Sequence, residues 1–295
     1  MSEGPAARLR STDAKRTGAF SGFRVIAGGD SAVPVVSVVV PAKNEARNLA
    51  HVFASIPAWV DEVVLVDGRS TDDTVAEARR LLPGVRIVTQ QGRGKGDALR
   101  VGFEAAKGDI IVMIDADGST DGAEITRFVA ALLAGADYVK GSRFASGGGS
   151  DDITPLRRLG NWVLSGLVNR LFGTRYTDLC YGFNAFWAWC LPGLDIDCDG
   201  FEVETVMNIR AARAGFRVHE VPSHEYSRMY GLSNLHVVKD GWRIAKVIVR
   251  ERMTRRTAAV PSPAGRRPEV SPAGPLRESL TTTTRTTQPL QEVGG

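Results

Sequence analysis

Residues 110–121 read IIVMIDADGSTD, a run of branched and long apolar side chains that ends in three acids, Asp115, Asp117 and Asp121. A short continuous apolar run is the pattern of a strand covered on both faces, as in a parallel sheet. Three like charges at its end must face water, repel one another or hold a cation. Asp115 and Asp117 stand at i and i+2, so a turn between them lets both reach one hard cation such as Mg²⁺ or Mn²⁺. The competing reading makes the acids a helix cap. Asp121 and Glu124 have the spacing of a capping box ahead of AEITRFVAALLAG, 123–135.

Working outward, the same strand signature recurs in VPVVSVVV (33–40), EVVLVD (62–67) and VRIVTQ (85–90). Between these runs, NEARNLAHVFASI, TDDTVAEARRLL and GKGDALRVGFEAA have the mixed charged and apolar texture of surface helices. Repeated βα units predict an open, mostly parallel α/β sheet with right-handed crossovers. Ligands of such sheets bind beyond the carboxyl ends of the strands, where Asn44, Asp67, Gln91 and Asp115 would lie. QQGRGKGDAL (90–99) lacks the spacing of a phosphate-binding P-loop and of a dinucleotide fingerprint. Arg93 and Lys95 there can neutralise phosphate beside a helix start, or form a solvated basic turn.

Past Asp121, DYVKGSRF (137–144) reads as a short strand and turn, and ASGGGSDDITP (145–155) as a mobile loop. PLRRLGNWVLSGLVNRLF (155–172) predicts a helix with an apolar stripe through Leu159, Val163, Leu167 and Leu171. Such a stripe is ordinarily core; a lipid-facing surface is the alternative.

With 43% hydrophobic and 24% charged residues over 295 positions, the chain can bury a substantial core. No window reaches the roughly 18 apolar residues of a membrane span, and the first residues lack a signal-peptide core, so a cytoplasmic protein is expected. Cys180, Cys190 and Cys198 are odd in number and have no zinc-ribbon spacing. The net charge of +4 comes mostly from the ends: residues 31–250 hold 25 Lys and Arg against 26 Asp and Glu. That distribution argues against a nucleic-acid partner. Residues 1–30 and the Pro/Thr/Arg-rich 251–295 have the composition of disordered segments, leaving 31–250 as one folded domain.

VSVVVPAKNEARNL, EVVLVDGRSTDDT, GRGKGDALRVGFEAAKGDIIVMIDADGS and GFEVETVMNIRAARAGFRVHEVP occur in an order and spacing that resembles family 2 glycosyltransferases of the GT-A fold. The resemblance spans about 33–245 and is closest to the soluble polyprenyl-phosphate mannose or glucose synthase-like branch. It implies a nucleotide-sugar-binding half, 31–121, and an acceptor-binding half, 122–250. It also implies metal-dependent, inverting transfer of a sugar from a UDP- or GDP-sugar to a polyprenyl phosphate or a small-molecule hydroxyl. The divalent cation, Mg²⁺ or Mn²⁺, would offset charge on the departing diphosphate.

Carried over by motif, the resemblance sets Pro41, Asn44 and Glu45 beside the base and Asp67 on base or ribose. Gly68 and Arg69 stand where the family has a second acid. Arg93 and Lys95 match the basic segment, and Asp115 and Asp117 the aspartates of ribose and cation. In TDLCYGFNAF, Asp178, Gly182 and Phe183 match the acceptor-side segment, but Asn184 stands where many relatives have an Arg; Arg143 and Arg175 are candidate substitutes. Glu204 matches the general base, with Glu202 as the neighbouring alternative, since residues two apart on a helix do not share a face. Arg228 matches a diphosphate contact, and His224 is a candidate metal ligand or a surface histidine. Peripheral contact with the inner face of a membrane and a homodimer are both compatible with the chain. Two rival readings are nucleotidyl transfer, which wants a glycine-rich loop near the first strand that VPAKNEARNL lacks, and a non-catalytic binding protein of this fold.

Overall fold

The structure, a computed structural model, describes residues 33–231 and 237–254. The expected leader, 1–30, lies outside the described residues, and so does most of the expected tail; residues 251–253 belong to the last helix.

Strands covered on both faces form where valine and isoleucine run without interruption. These are β1 (Val36–Ala42), β2 (Glu62–Asp67) and β4 (Ile110–Met113); β3 (Arg86–Thr89) is a partly covered edge strand, and α1 (Leu49–Ser55), α2 (Thr74–Leu81) and α3 (Gly94–Ala105) join them. Val38, Val39, Val40 and all four residues of β4 are buried. After a 3₁₀ turn at Gly122–Glu124 come α4 (Ile125–Leu133), β5 (Tyr138–Ser142), β6 (Gly149–Ser150) and α5 (Pro155–Phe172). The chain continues through β7 (Asn184–Trp187), α6 (Leu191–Leu194), α7 (Val203–Arg213), β8 (Val218–Pro222), β9 (His224–Glu225) and α8 (Val237–Met253).

The main sheet runs β3-β2-β1-β4-β7-β5-β8, and a small second sheet pairs β6 with β9. Among the described strands of this sheet, only β7 runs antiparallel to its neighbours, β4 and β5. It is a strand that the apolar-run criterion did not find. The in-register pairs Ala42 with Asp67 and Asp67 with Thr89 end β1, β2 and β3 along one edge, so the loops after them converge as expected for an open sheet.

Two local expectations change. Asp121 does cap the turn ahead of α4, its Oδ1 accepting from the Ala123 N–H at 2.9 Å. Glu124 does not close the box: its carboxylate accepts from Ser223 Oγ and from the His224 N–H at 3.2 Å, tying α4 to β9.

The stripe of α5 is also not core. Leu159, Val163 and Leu167 are exposed and Leu171 of the stripe is partly buried against the interior, while Asn161, Ser165 and Val168 face inward. The polar Asn161 is drawn in because its Oδ1 accepts from the backbone N–H groups of Leu179 at 3.0 Å and Cys180 at 3.2 Å. A second apolar cluster, including Val168, Ile209, Ile244 and Ile248, joins α5, α7 and α8 beneath that face.

Candidate active site

The glycines of Gly94-Lys95-Gly96 let the start of α3 press against residues 198–200. Gly94 has φ of 85°, and the Gly96 N–H donates to the Asp199 carbonyl at 2.9 Å. A side chain at Gly96 would collide with the Cys198 carbonyl. So held, Lys95 spans two elements: its Nζ lies 2.6 Å from Asp115 Oδ1 after β4 and 2.7 Å from Glu204 Oε1 on α7. Burial alone would lower the pKa of the ammonium, but the two carboxylates raise it, so Lys95 stays cationic. Burial raises the Glu204 carboxyl above its ordinary value; Lys95 opposes that rise and Asp115 adds to it. Gly182, at the turn before β7, closes the same site. A Cβ there would stand 2.7 Å from Asp115 Oδ2 and 2.8 Å from Lys95 Nζ.

A second cation sits on the neighbouring acids. Arg228 Nη2 lies 2.8 Å from Asp117 Oδ2, and Nη1 lies 2.9 Å from Glu45 Oε1. Asp117 Oδ1 is engaged by Ser119, from its N–H at 2.9 Å and its Oγ at 2.6 Å. Burial raises the Glu45 carboxyl, against hydrogen bonds from Asn48 and Arg228. Arg228 itself is raised by its two carboxylates despite burial. Asn48 Nδ2 also donates to the Tyr230 carbonyl at 3.2 Å, and the Arg47 guanidinium stacks 4.0 Å above the Tyr230 ring, so residues 228–230 lie across the end of β1.

Farther along the edge, Asn44 adopts left-handed backbone, φ 58°, and its Oδ1 accepts from the Thr71 N–H at 2.7 Å. Asp67 Oδ1 accepts from the Ser70 N–H at 3.0 Å. Arg69 turns to the carbonyls of Gln90 and Gln91 and joins the β2 and β3 loops. Pro41 lies on β1, and Arg93 is exposed just before α3.

The structure thus brings Glu45, Lys95, Asp115, Asp117, Glu204 and Arg228 into two linked ion-pair groups. Three other candidates have partners elsewhere. Glu202 Oε1 accepts from the Gly200 N–H at 3.2 Å, ahead of α7. His224 Nε2 lies 3.0 Å from Asp151 Oδ1. Asp178 is wholly buried, with Arg143 Nε 2.7 Å from Oδ2 and Nη2 3.0 Å from Oδ1. Burial alone would raise its carboxyl, but Arg143 holds it below the ordinary value. Asp178 therefore braces the loop ahead of β7 through Arg143, with its side chain closed off from solvent. Arg143, a candidate phosphate contact, spends its other nitrogen on Glu225 at 3.0 Å, whereas Arg175 is exposed. The contribution of Gly182 was not readable as chemistry, since a glycine advertises only its lack of a side chain.

Among the described residues, no group of three or more His, Cys, Asp or Glu side chains could by itself hold a metal ion. Asp115 and Asp117 supply hard oxygen donors of the kind Mg²⁺ or Mn²⁺ takes, and each now faces a cationic side chain. Two such oxygen donors fit a divalent cation only if further ligands complete its coordination.

A family model described as glycosyl transferase family 2 matches residues 37–188. Glycosyltransferase AglJ of Haloferax volcanii is 32% identical over 212 residues, which cover 70% of this chain and 68% of that protein. An undecaprenyl-phosphate mannosyltransferase of Micrococcus luteus is 31% identical over 212 residues, covering 68% of this chain and 87% of that one. The crystal structure of glucosyl-3-phosphoglycerate synthase from Mycobacterium tuberculosis with Mg²⁺ and UDP superposes with a TM-score of 0.61 at 23% identity, covering 76% of this chain and 81% of that chain. The likeness shows the shared α/β fold.

Proposed function

We propose, from the premise that the chain belongs to glycosyl transferase family 2 and is a glycosyltransferase, that it moves a hexose from a UDP- or GDP-sugar to a polyprenyl phosphate, with a small-molecule hydroxyl as the alternative acceptor. The observation that carries the reading is the Lys95 bridge, which joins the strand-end Asp115 to the α7 carboxylate Glu204 in one site. The likeness to an undecaprenyl-phosphate mannosyltransferase favours the lipid acceptor.

In this reading the base and ribose lie along Pro41, Asn44, Glu45 and Asp67. Asp115 and Asp117 would hold Mg²⁺ or Mn²⁺, whose charge offsets that of the leaving diphosphate. Arg228 turns from Asp117 to the diphosphate oxygens, and Arg93 borders the same loop. An acceptor oxygen attacks the anomeric carbon, and the bond from that carbon to the diphosphate breaks with its electron pair leaving on the diphosphate. A hydroxyl acceptor gives its proton to Glu204, which Lys95 helps keep ionised. A phosphate acceptor arrives anionic, and Glu204 then orients it.

The test is a mass-spectrometric screen of the purified chain with UDP- and GDP-hexoses, Mg²⁺ or Mn²⁺, and either undecaprenyl phosphate or soluble hydroxyl acceptors. A hexose mass gain on the lipid phosphate is expected. Transfer to soluble acceptors alone selects the alternative, and pyrophosphate release from nucleoside triphosphates without hexose transfer overturns the reading.

A further inference from the structure

The exposed faces of α5 and α8 form one surface with an unusual composition. The helices touch each other and both rest on α7, so their outward sides adjoin. On α5 the outward side carries Leu156, Leu159, Val163 and Trp162, the last 71% exposed. On α8 it carries Trp242, 64% exposed, Val249 and Met253, 79% exposed. Cations flank these side chains: Arg158 and Arg170 on α5, and Lys239, Lys246 and Arg252 on α8 are exposed. The Lys246 ammonium sits 5.4 Å from the Trp242 ring centre.

Among the described residues of α5 and α8, no acid offsets them on the outward side. The α5 segment contains no Asp or Glu, and the two acids of α8, Asp240 and Glu251, are buried. Arg243 reaches Asp240 at 3.4 Å, and Arg210 reaches Glu251 at 2.7 Å. Asp151 and Asp152, exposed just before α5, face His224 and Arg157. A groove of about 700 Å³ opens beside Trp162, walled by Phe144, Leu159 and Tyr176 and reaching Thr177, next to Asp178.

We propose that this α5–α8 face docks the protein on an anionic lipid bilayer, with Trp162 and Trp242 at the headgroup level and the basic side chains on lipid phosphates. Tryptophan beside lysine and arginine on a non-spanning amphipathic face is the composition that interfaces retain. Among the described residues no helix is long and apolar enough to cross a membrane, so the contact is peripheral. Charge selects the occupant. A second copy meeting this face would oppose like charges across it. Residues 255–295 are themselves basic, six Arg against three Glu, and do not complement it. The docking is independent of the donor chemistry proposed above.

Full-length protein is sedimented with phosphatidylcholine vesicles and with phosphatidylglycerol-rich vesicles, beside the variants Trp162→Ser/Trp242→Ser and Arg170→Glu/Lys246→Glu. All four side chains are exposed, so the fold is retained, as circular dichroism and unchanged UDP affinity would verify. The expected result is salt-sensitive binding to anionic vesicles only, weakened at least about 10-fold by either pair. Equal binding to neutral vesicles, no binding to anionic ones, or full binding by both variants overturns the proposal; the last outcome assigns the contact to another segment. A wild-type dimer that either pair converts to monomer in size-exclusion chromatography also overturns it, in favour of a second copy. Because vesicle binding and UDP affinity are read separately, loss of one does not imply loss of the other.

Discussion

The Nζ of Lys95 lies 2.7 Å from Glu204 Oε1, which joins the start of α3 to α7 across more than a hundred residues of chain. The same ammonium holds Asp115, so one side chain sets the charge of two carboxylates. Burial raises the Glu204 carboxyl and Lys95 opposes the rise. The ionised form of Glu204 is therefore lost as pH falls through a value above the ordinary 4.5. Removing the ammonium in Lys95→Met raises that value further, so the acid limb of kcat/KM should move to higher pH, with a loss of about 10²-fold near neutrality. A pH–rate profile of both proteins checks it; an unmoved limb removes Lys95 from control of Glu204.

Glu204→Gln should separate the two acceptor classes. With a hydroxyl acceptor, loss of the proton acceptor costs about 10²- to 10⁴-fold in kcat. With a lipid phosphate the loss should be much smaller, because the attacking oxygen carries its charge already. Donor affinity should be unchanged in either case. Steady-state assays with both acceptors, alongside UDP calorimetry, provide the comparison.

Arg228 and Asp117 make opposite demands on the same space. Their 2.8 Å pair must loosen for a cation to take Asp117. Arg228→Ala should bind Mn²⁺ more tightly in the absence of nucleotide, yet bind UDP roughly 10-fold more weakly, since a charge-assisted contact to diphosphate is lost. Parallel titrations with Mn²⁺ alone and with UDP and Mn²⁺ read both signs. Two changes in the same direction would count against this placement.

Asp178→Asn should unfold the protein more readily by about 3 kcal/mol, because Arg143 loses a buried partner and keeps only Glu225. The Asp178 carboxyl is held below its ordinary value, 3.8. Its stabilising contribution is therefore present above that value and disappears as pH falls through the depressed one. Urea unfolding should show the full difference near neutral pH and none in strong acid.

Strands β1, β2 and β4 were legible because burial on both faces demands apolar residues at every position. β7 is buried at all four positions too, but Asn184–Trp187 is short, opens on a polar residue and follows an irregular loop, so it becomes a strand by pairing between β4 and β5. The cap at Asp121 was readable because its partner is two residues away, whereas the Glu124 carboxylate turns to Ser223 and His224. The stripe on α5 announced a helix with two unlike faces without saying which would be covered. That depended on Asn161 meeting the backbone N–H groups of residues 179–180.

Among the candidate site residues, Asp115 and Asp117 stand two apart, which raised a cation site beside the helix-cap reading, while Lys95 lies ahead at the start of α3, where a phosphate contact and a solvated basic turn were both open. Their partners Glu204, Gly182, Glu45 and Arg228 come from distant segments. Local periodicity and motif spacing act within a few turns of chain, so they settle the strands, the order of the βα units and the acids after β4. Which cation faces which carboxylate, and which side of α5 meets water, are set by contacts between segments whose distance in space bears no relation to their separation along the chain.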